Sequence, residues 1–397
     1  MPMFAHRTGW RLAPNRLSLA IEEYRQQGRA LLDLTESNPT RCGFNYDTEE
    51  ILQALSDPRS LTYEPDAHGL LAARQAVAGY YAEQNIHVDP RQIFLTTSTS
   101  EAYSYVFRLL ADPGDNILAP SPSYPLFDFL SQLNDLELIP YPLVDYDDWQ
   151  IDVGALASRI TARTRAILVV HPNNPTGSLV RKAELDSLIR CCQEHSLALI
   201  ADEVFADYSL SADQAGKVAS HAAVSDILTF TLSGLSKISA LPQMKLAWIV
   251  VNGPADLLRS ALARLELIAD TYLSVAAPLA HALPKLLAGR RAIQSQILQR
   301  ICQNLRWLDQ QLPADSLVRR LKTAGGWYVI LKLPTIRTDE DWALELLRQD
   351  GVLVHPGHFY DFPAEGHLVV SLLPTLENFK HGMEKLIARV GRSSAHQ

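Results

Sequence analysis

The sequence predicts an α/β fold: a large domain with a mostly parallel, seven-stranded-type sheet sandwiched by helices, plus a smaller α+β domain built from both termini. Three observations carry this. Apolar runs of strand length alternate with amphipathic helical patterns through the middle of the chain, the mark of a sheet covered on both faces. Thr97, Ser121, Asn174, Asp202 and Ser233 follow those runs, at the ends beyond which open sheets of this kind bind ligands. The last third then switches to long helices and short strands of antiparallel character.

The elements follow in order. Leu17 to Gln27 reads as a helix and Ala30 to Thr35 as a strand. Ile93 to Thr97 is a strand leading into a helix from about Glu101 to Leu110, and Asn116 to Ala119 is a strand closed by Pro120 and Pro122. Ala166 to Val170, a helix from Lys182 to Glu194, and strands Leu197 to Ala201, Ile227 to Leu232 and Leu246 to Val251 complete the core. A long helical stretch, Asp256 to Leu287 with a kink at Pro278, leads to a helix from Ile293 to Leu312. Strand Gly326 to Leu331, helix Glu340 to Asp350, strands Val352 to His355 and Leu368 to Leu372, and a closing helix form the second module. The expected division is 1–45 packing on the small domain, 46–285 as the large domain and 286–397 as the small one.

Bulk properties exclude several classes. Hydrophobic residues at 47% and charged residues at 20% describe an ordinary globular chain, and a net charge of -8 argues against a nucleic-acid surface. No apolar run reaches the roughly 18 to 20 residues that span a bilayer, and the N-terminus lacks the apolar core of a signal peptide. A cytoplasmic protein with no membrane contact is expected. Cys42, Cys191, Cys192 and Cys302 fit a reducing compartment and small buried roles, and the 12 histidines lack ligand spacing, so no metal is expected. Gly-x-Ser-x-Gly, P-loop and dinucleotide fingerprints are absent.

The chemistry concentrates in three places. Lys237 closes Thr231-Leu-Ser-Gly-Leu-Ser-Lys237, just past a strand, among small residues that permit burial and a lowered amine pKa. Asp202 ends an apolar strand, where it either caps the next helix or pairs with a buried cation. Asn174 lies in the turn His171-Pro-Asn-Asn-Pro-Thr-Gly177 after a third strand. A lysine to condense with an aldehyde, a carboxylate to keep a pyridine nitrogen protonated and an amide for the ring oxygen are what pyridoxal 5′-phosphate requires. Ser98, Thr99 and Ser100 open a helix, which suits either a phosphate or a plain cap completed by Glu101. Tyr124, in Pro120-Ser-Pro-Ser-Tyr-Pro125, is either a stacking ring or a half-buried tyrosine.

With Asn-Asn-Pro-Thr-Gly177, Asp202-Glu-Val-Phe205 and Gly-Leu-Ser-Lys237 in this order, the chain resembles fold-type I pyridoxal-phosphate enzymes, class I/II aminotransferases. Gly-Leu-Ser-Lys237 and the later Val251-Asn-Gly-Pro254 resemble the alanine-aminotransferase-like branch. The resemblance runs from Asn38-Pro39 to the C-terminal strand. It implies Lys237 as cofactor lysine and proton shuttle, Asp202 as pyridine partner, Asn174 as ring-oxygen donor and Tyr124 as stacking ring. It also implies Ser98, Thr99 and Ser236 as phosphate ligands, and Tyr63 as a tyrosine reaching the neighbouring subunit's phosphate in a homodimer. The expected reaction moves an amino group between a small-molecule amino donor and a keto-acid acceptor.

The departures sharpen this. Phe205 stands where the family has tyrosine, removing a hydroxyl from the ring oxygen. Lys245 replaces a phosphate-gripping arginine, a point charge for a bidentate fork. Val369 stands where the family has the arginine that binds the substrate α-carboxylate, and Ser37 replaces a glycine of the N-terminal substrate loop. Arg41 is the expected substitute cation, with His358 behind it. The same departure leaves open a pyridoxal-phosphate lyase, decarboxylase or replacement enzyme, and a non-enzymatic cofactor-binding relative.

Overall fold

The computed structural model describes residues 3–146, 148–210, 216–273 and 275–394. Among them the large sheet has eight strands. From one edge they run Ile93–Thr96, Ala247–Asn252, Thr229–Gly234, Ala198–Asp202, Thr164–Val170, Asn116–Ser121, Glu137–Asp145 and Trp149–Ile151. Six share one direction, while Ala247–Asn252 opposes both its neighbours and Trp149–Ile151 opposes Glu137–Asp145. Thr229–Gly234 and Ala198–Asp202 are buried at every position, as strands covered on both faces must be.

Helices close the two faces. Thr99–Leu110 buries Ala102, Tyr103, Val106 and Phe107 on one of them. Burying Val106 and Phe107 contributes about 1.5–3 kcal/mol each. The Glu137–Asp145 strand, absent from the sequence expectation, carries Pro140 and Pro142 and is only half-covered. Prolines depart from a strand pattern, and the pairing with Asn116–Ser121 overrides them. The long helix expected over Asp256 to Leu287 is instead two. Ala255–Tyr272 stops at Leu273, whose φ is 67°, and Ala277–Ala288 starts afresh with Pro278 in its first turn. Position 274 lies outside the described residues.

The smaller module holds an antiparallel sheet ordered Arg319–Arg320, Tyr328–Lys332, His367–Ser371, His355–Pro356. Cross-strand register pairs Tyr328 with Ser371, Ile330 with Val369 and His355 with Val369, so these side chains share one face. The N-terminal Leu32–Asp33 strand pairs in parallel with Val352–Leu353, which ties the two ends of the chain together. No described helix is long and apolar enough to cross a membrane.

Candidate active site

The Thr229–Gly234 strand ends on a glycine for a steric reason. A Cβ at Gly234 would lie 2.8 Å from the Ala247 Cβ and 2.9 Å from the Leu246 carbonyl oxygen. The one-turn helix Leu235–Ile238 follows and presents Lys237. Tyr208 holds its backbone, donating to the Lys237 carbonyl at 2.8 Å. The Lys237 Nζ lies 4.8 Å from the Trp327 ring centre and 5.5 Å from that of Phe205. By surface area Lys237 is only part-buried, yet its ammonium is enclosed. Desolvation pushes its pKa down to about 8, against the opposing pull of Asp202.

Asp202 sits buried at the end of its strand. The Tyr103 hydroxyl donates to Oδ2 at 2.8 Å, and the Val204 N–H to Oδ1 at 3.1 Å. Burial nevertheless pushes its pKa up to about 6, with those bonds and Lys237 acting the other way. Strand alternation turns Glu203 to the opposite side. There it accepts from the Ser220 hydroxyl and the His221 N–H, both at 2.6 Å, and lies 2.8 Å from His221 Nδ1. The competing carboxylate is therefore fully engaged elsewhere.

Asn174 follows the Thr164–Val170 strand in a turn closed by Gly177 N–H to the Asn173 carbonyl at 2.8 Å. Its Oδ1 is buried with no hydrogen-bond partner among the described residues. A buried carbonyl end left unmatched is costly and calls for a donor, while the Nδ2 end of the same amide is the one able to donate to a ring oxygen. Register places Thr96 and Gly234 on either side of Ala247, so the Thr99–Leu110 helix begins beside Lys237. Ser98 caps that helix, its hydroxyl accepting from the Glu101 N–H at 3.1 Å, and Glu101 reaches back to the Thr97 N–H. The capping reading of Ser98 thus holds for its side chain. Thr99 and Ser100 remain half-buried at the helix start, the favourable end for an anion. Tyr124 lies edge-on to Phe127 at 5.8 Å, and burial, with the Asp202 charge behind it, raises its phenol pKa.

The structure thus gathers Lys237, Asp202, Asn174, Tyr124, Phe205, Ser236 and the Ser98–Ser100 turn on one rim. Other candidates are exposed. Tyr63 is 74% exposed, on a cleft shared with Val275 and His281. Lys245 and Arg41 are exposed. His358 is exposed beside Phe359, on a cleft that Tyr124 and Asp361 also line. Sequence reasoning missed Tyr103, Trp327, Tyr328 and Tyr360. The Tyr328 ring centre lies 6.4 Å from that of Phe205, and its phenol faces Ser37. Tyr360 bonds His355 Nδ1 at 3.0 Å.

These groups fit pyridoxal phosphate: an amine of lowered pKa, a buried carboxylate at a strand mouth, an unmatched amide and a hydroxyl-rich helix start. A family model described as aminotransferase class I and II matches residues 29–386. The chain is 28% identical over 382 residues to the glutamate-pyruvate aminotransferase AlaA of Haemophilus influenzae, covering 93% of this chain and 92% of that one. It is 30% identical over 374 residues to an alanine aminotransferase of Mycobacterium bovis, covering 91% and 85%. Among solved structures, an alanine aminotransferase from Pyrococcus furiosus superposes with a TM-score of 0.88 at 23% identity, covering 98% and 100%. An aminotransferase from Escherichia coli gives 0.83 at 26%, covering 95% of each. The chain belongs to the class I and II aminotransferase family and is a pyridoxal-phosphate-dependent aminotransferase.

Proposed function

We propose that the chain works by a ping-pong cycle in which Lys237 both anchors the cofactor and carries the proton between the two carbons that exchange it. The observation behind this is the Lys237 amine, enclosed against Trp327 and Phe205 with its pKa drawn down to about 8. About a tenth of an amine of that basicity is unprotonated at pH 7, far more than for an ordinary lysine. Bound pyridoxal phosphate supplies an electron sink. Asp202 holds a proton on the pyridine nitrogen, Asn174 meets the ring oxygen, Phe205 walls the ring apolarly and Tyr124 stacks on it. Ser98, Thr99, Ser100, Ser236 and Lys245 receive the phosphate, Ser98 through its backbone.

The donor and the 2-keto acid enter between the large domain (46–285) and the small one (1–45 with 286–397). The names of the relatives suggest small amino acids and pyruvate or glutamate. Val369, buried in the small sheet, supplies no cation for a carboxylate, so that pairing is not transferred here. We also infer a homodimer in which Tyr63 serves the partner's phosphate. Leu61, Tyr63 and Leu273 are 91%, 74% and 66% exposed, an apolar surface that a second copy would cover. Free cysteines at all four positions support a cytoplasmic setting.

The test is spectroscopic. Purified protein should show the visible band of lysine-bound cofactor and lose it in Lys237→Ala. Donor without acceptor should accumulate pyridoxamine phosphate without ammonia. Ammonia release without pyridoxamine phosphate would favour lysis, and a colourless protein indifferent to added cofactor would refute the reading.

A further inference from the structure

The small-sheet face turned toward Lys237 can be followed contact by contact. Phe205 lies under the Lys237 amine and edge-on to Tyr328. Tyr328, Ser371, Val369 and His355 share that face through the strand register. Every group on it is uncharged. Val369 is 1% exposed and aliphatic. Tyr328 faces Ser37, and burial pushes its phenol up to about 12, so it stays protonated. His355 meets the Tyr360 hydroxyl, and burial lowers its pKa, which keeps it neutral near pH 7.

The carboxylates that act on Tyr328 and His355 are Glu36 and Asp33. Asp33 stands beside Leu353 in the parallel pair and acts electrostatically on His355. Glu36 precedes Ser37 and raises the Tyr328 phenol further. Arg300, a cation close to the N-terminal loop, directs Nη1 to the Cys42 and Leu373 carbonyls at 3.3 and 3.0 Å. Its guanidinium lies 5.1 Å from the Phe44 ring centre. A carboxylate set against this wall would meet hydroxyls and two like charges, and desolvating it without a cation is strongly unfavourable.

We propose that this wall selects an uncharged, hydrogen-bonding substituent, so that the preferred amino donor carries an amide or alcohol group where an α-amino acid carries its carboxylate. Tyr328 and Ser37 are its specificity-determining residues, offering hydroxyls that match a neutral polar group. This rests on the aminotransferase reading of the site above.

The test uses the cofactor-loaded enzyme and matched probes. L-alaninamide and L-alanine are compared in the donor half-reaction, read by loss of the visible cofactor band. Propionamide and propionate are compared as non-reacting ligands, read by fluorescence of Trp327, which lies against Lys237. The amide is expected to exceed the acid at least tenfold in each comparison. Tyr328→Phe should reduce propionamide affinity several-fold while leaving propionate unchanged. Val369→Arg should reverse the preference. A preference for the carboxylate probes overturns the proposal, and its loss in Arg41→Met or Arg300→Met would name the cation responsible. Failure of both donors to alter the band counts against amino transfer, whereas the ligand comparison still decides the pocket.

Discussion

The Tyr103 phenol donates to Asp202 Oδ2 at 2.8 Å, with both side chains buried. One helix covering the sheet therefore sets the state of the carboxylate at the strand mouth. A neutral hydroxyl stabilises the ionised form without competing for the cofactor as a cation would. Removing it leaves a buried carboxylate short of a donor, at about 1–3 kcal/mol. Tyr103→Phe should drive the Asp202 pKa above its present value of about 6. Cofactor titrations from pH 5 to 8 should show affinity appearing at higher pH in the variant. Superimposable profiles would show that Tyr103 serves packing alone.

Asp202 also predicts how the cofactor-free protein responds to pH. Its pKa rises from 3.8 to about 6 on folding, burial being the main cause. The folded state then binds more protons than the unfolded one between those values, so stability falls as pH rises from about 4 to about 6. A shift of this size corresponds to about 3 kcal/mol at neutral pH. Asp202→Asn should remove that portion of the slope and make the cofactor-free protein more stable at pH 7, measured by urea denaturation. Cofactor affinity should fall sharply in the same variant.

Lys237 shifts the opposite way, and the two together bring acid and base toward neutrality. Its amine should react with acetic anhydride in the cofactor-free protein with a midpoint near pH 8, against about 10.5 for an ordinary lysine. Because desolvation is the main cause, Trp327→Ala should raise the midpoint by admitting water. Peptide mapping of the acetylated lysine across pH 6–11 reads both. A midpoint near 10 in the parent protein would show the amine to be solvated.

What the sequence revealed and what it hid have a common physical origin. Lys237, Asp202 and Asn174 are polar residues at the ends of apolar runs, where polarity without a packing role stands out. Tyr103 and Trp327 belong to the same site but read as core, since aromatic residues on buried faces are what cores contain. Only tertiary contact distinguishes Trp327, through its approach to the Lys237 amine. The broken helix at Leu273 was equally hidden, because apolar periodicity continues across residues whose backbone leaves the helix. Lys245 was legible only by its place after Lys237; its left-handed backbone, with a φ of 49°, was not.

Gly177 links the asparagine turn to the segment that leads through Trp327 into the Tyr328–Lys332 strand, which yields the most demanding prediction. Its φ is 67°, and its carbonyl accepts from the Ala324 N–H at 3.1 Å. A Cβ there would lie 2.0 Å from Thr323 Oγ1 and 2.4 Å from the Gly325 carbonyl oxygen. The hydroxyl can rotate away, but the Gly325 carbonyl is fixed, since Gly325 itself abuts Pro172 and Tyr208. Left-handed backbone adds about 1–2 kcal/mol for any residue with a Cβ. Gly177→Ala should therefore cost at least about 3 kcal/mol by urea denaturation, in the range of overpacked cores. The segment that yields is the one leading to Trp327, so the Lys237 labelling midpoint should climb from about 8. Thr323→Ala in the same background should recover part of the stability and leave the raised midpoint in place, because the backbone overlap persists. Full recovery of both would place the conflict in the threonine side chain alone and release Trp327 from any dependence on this turn.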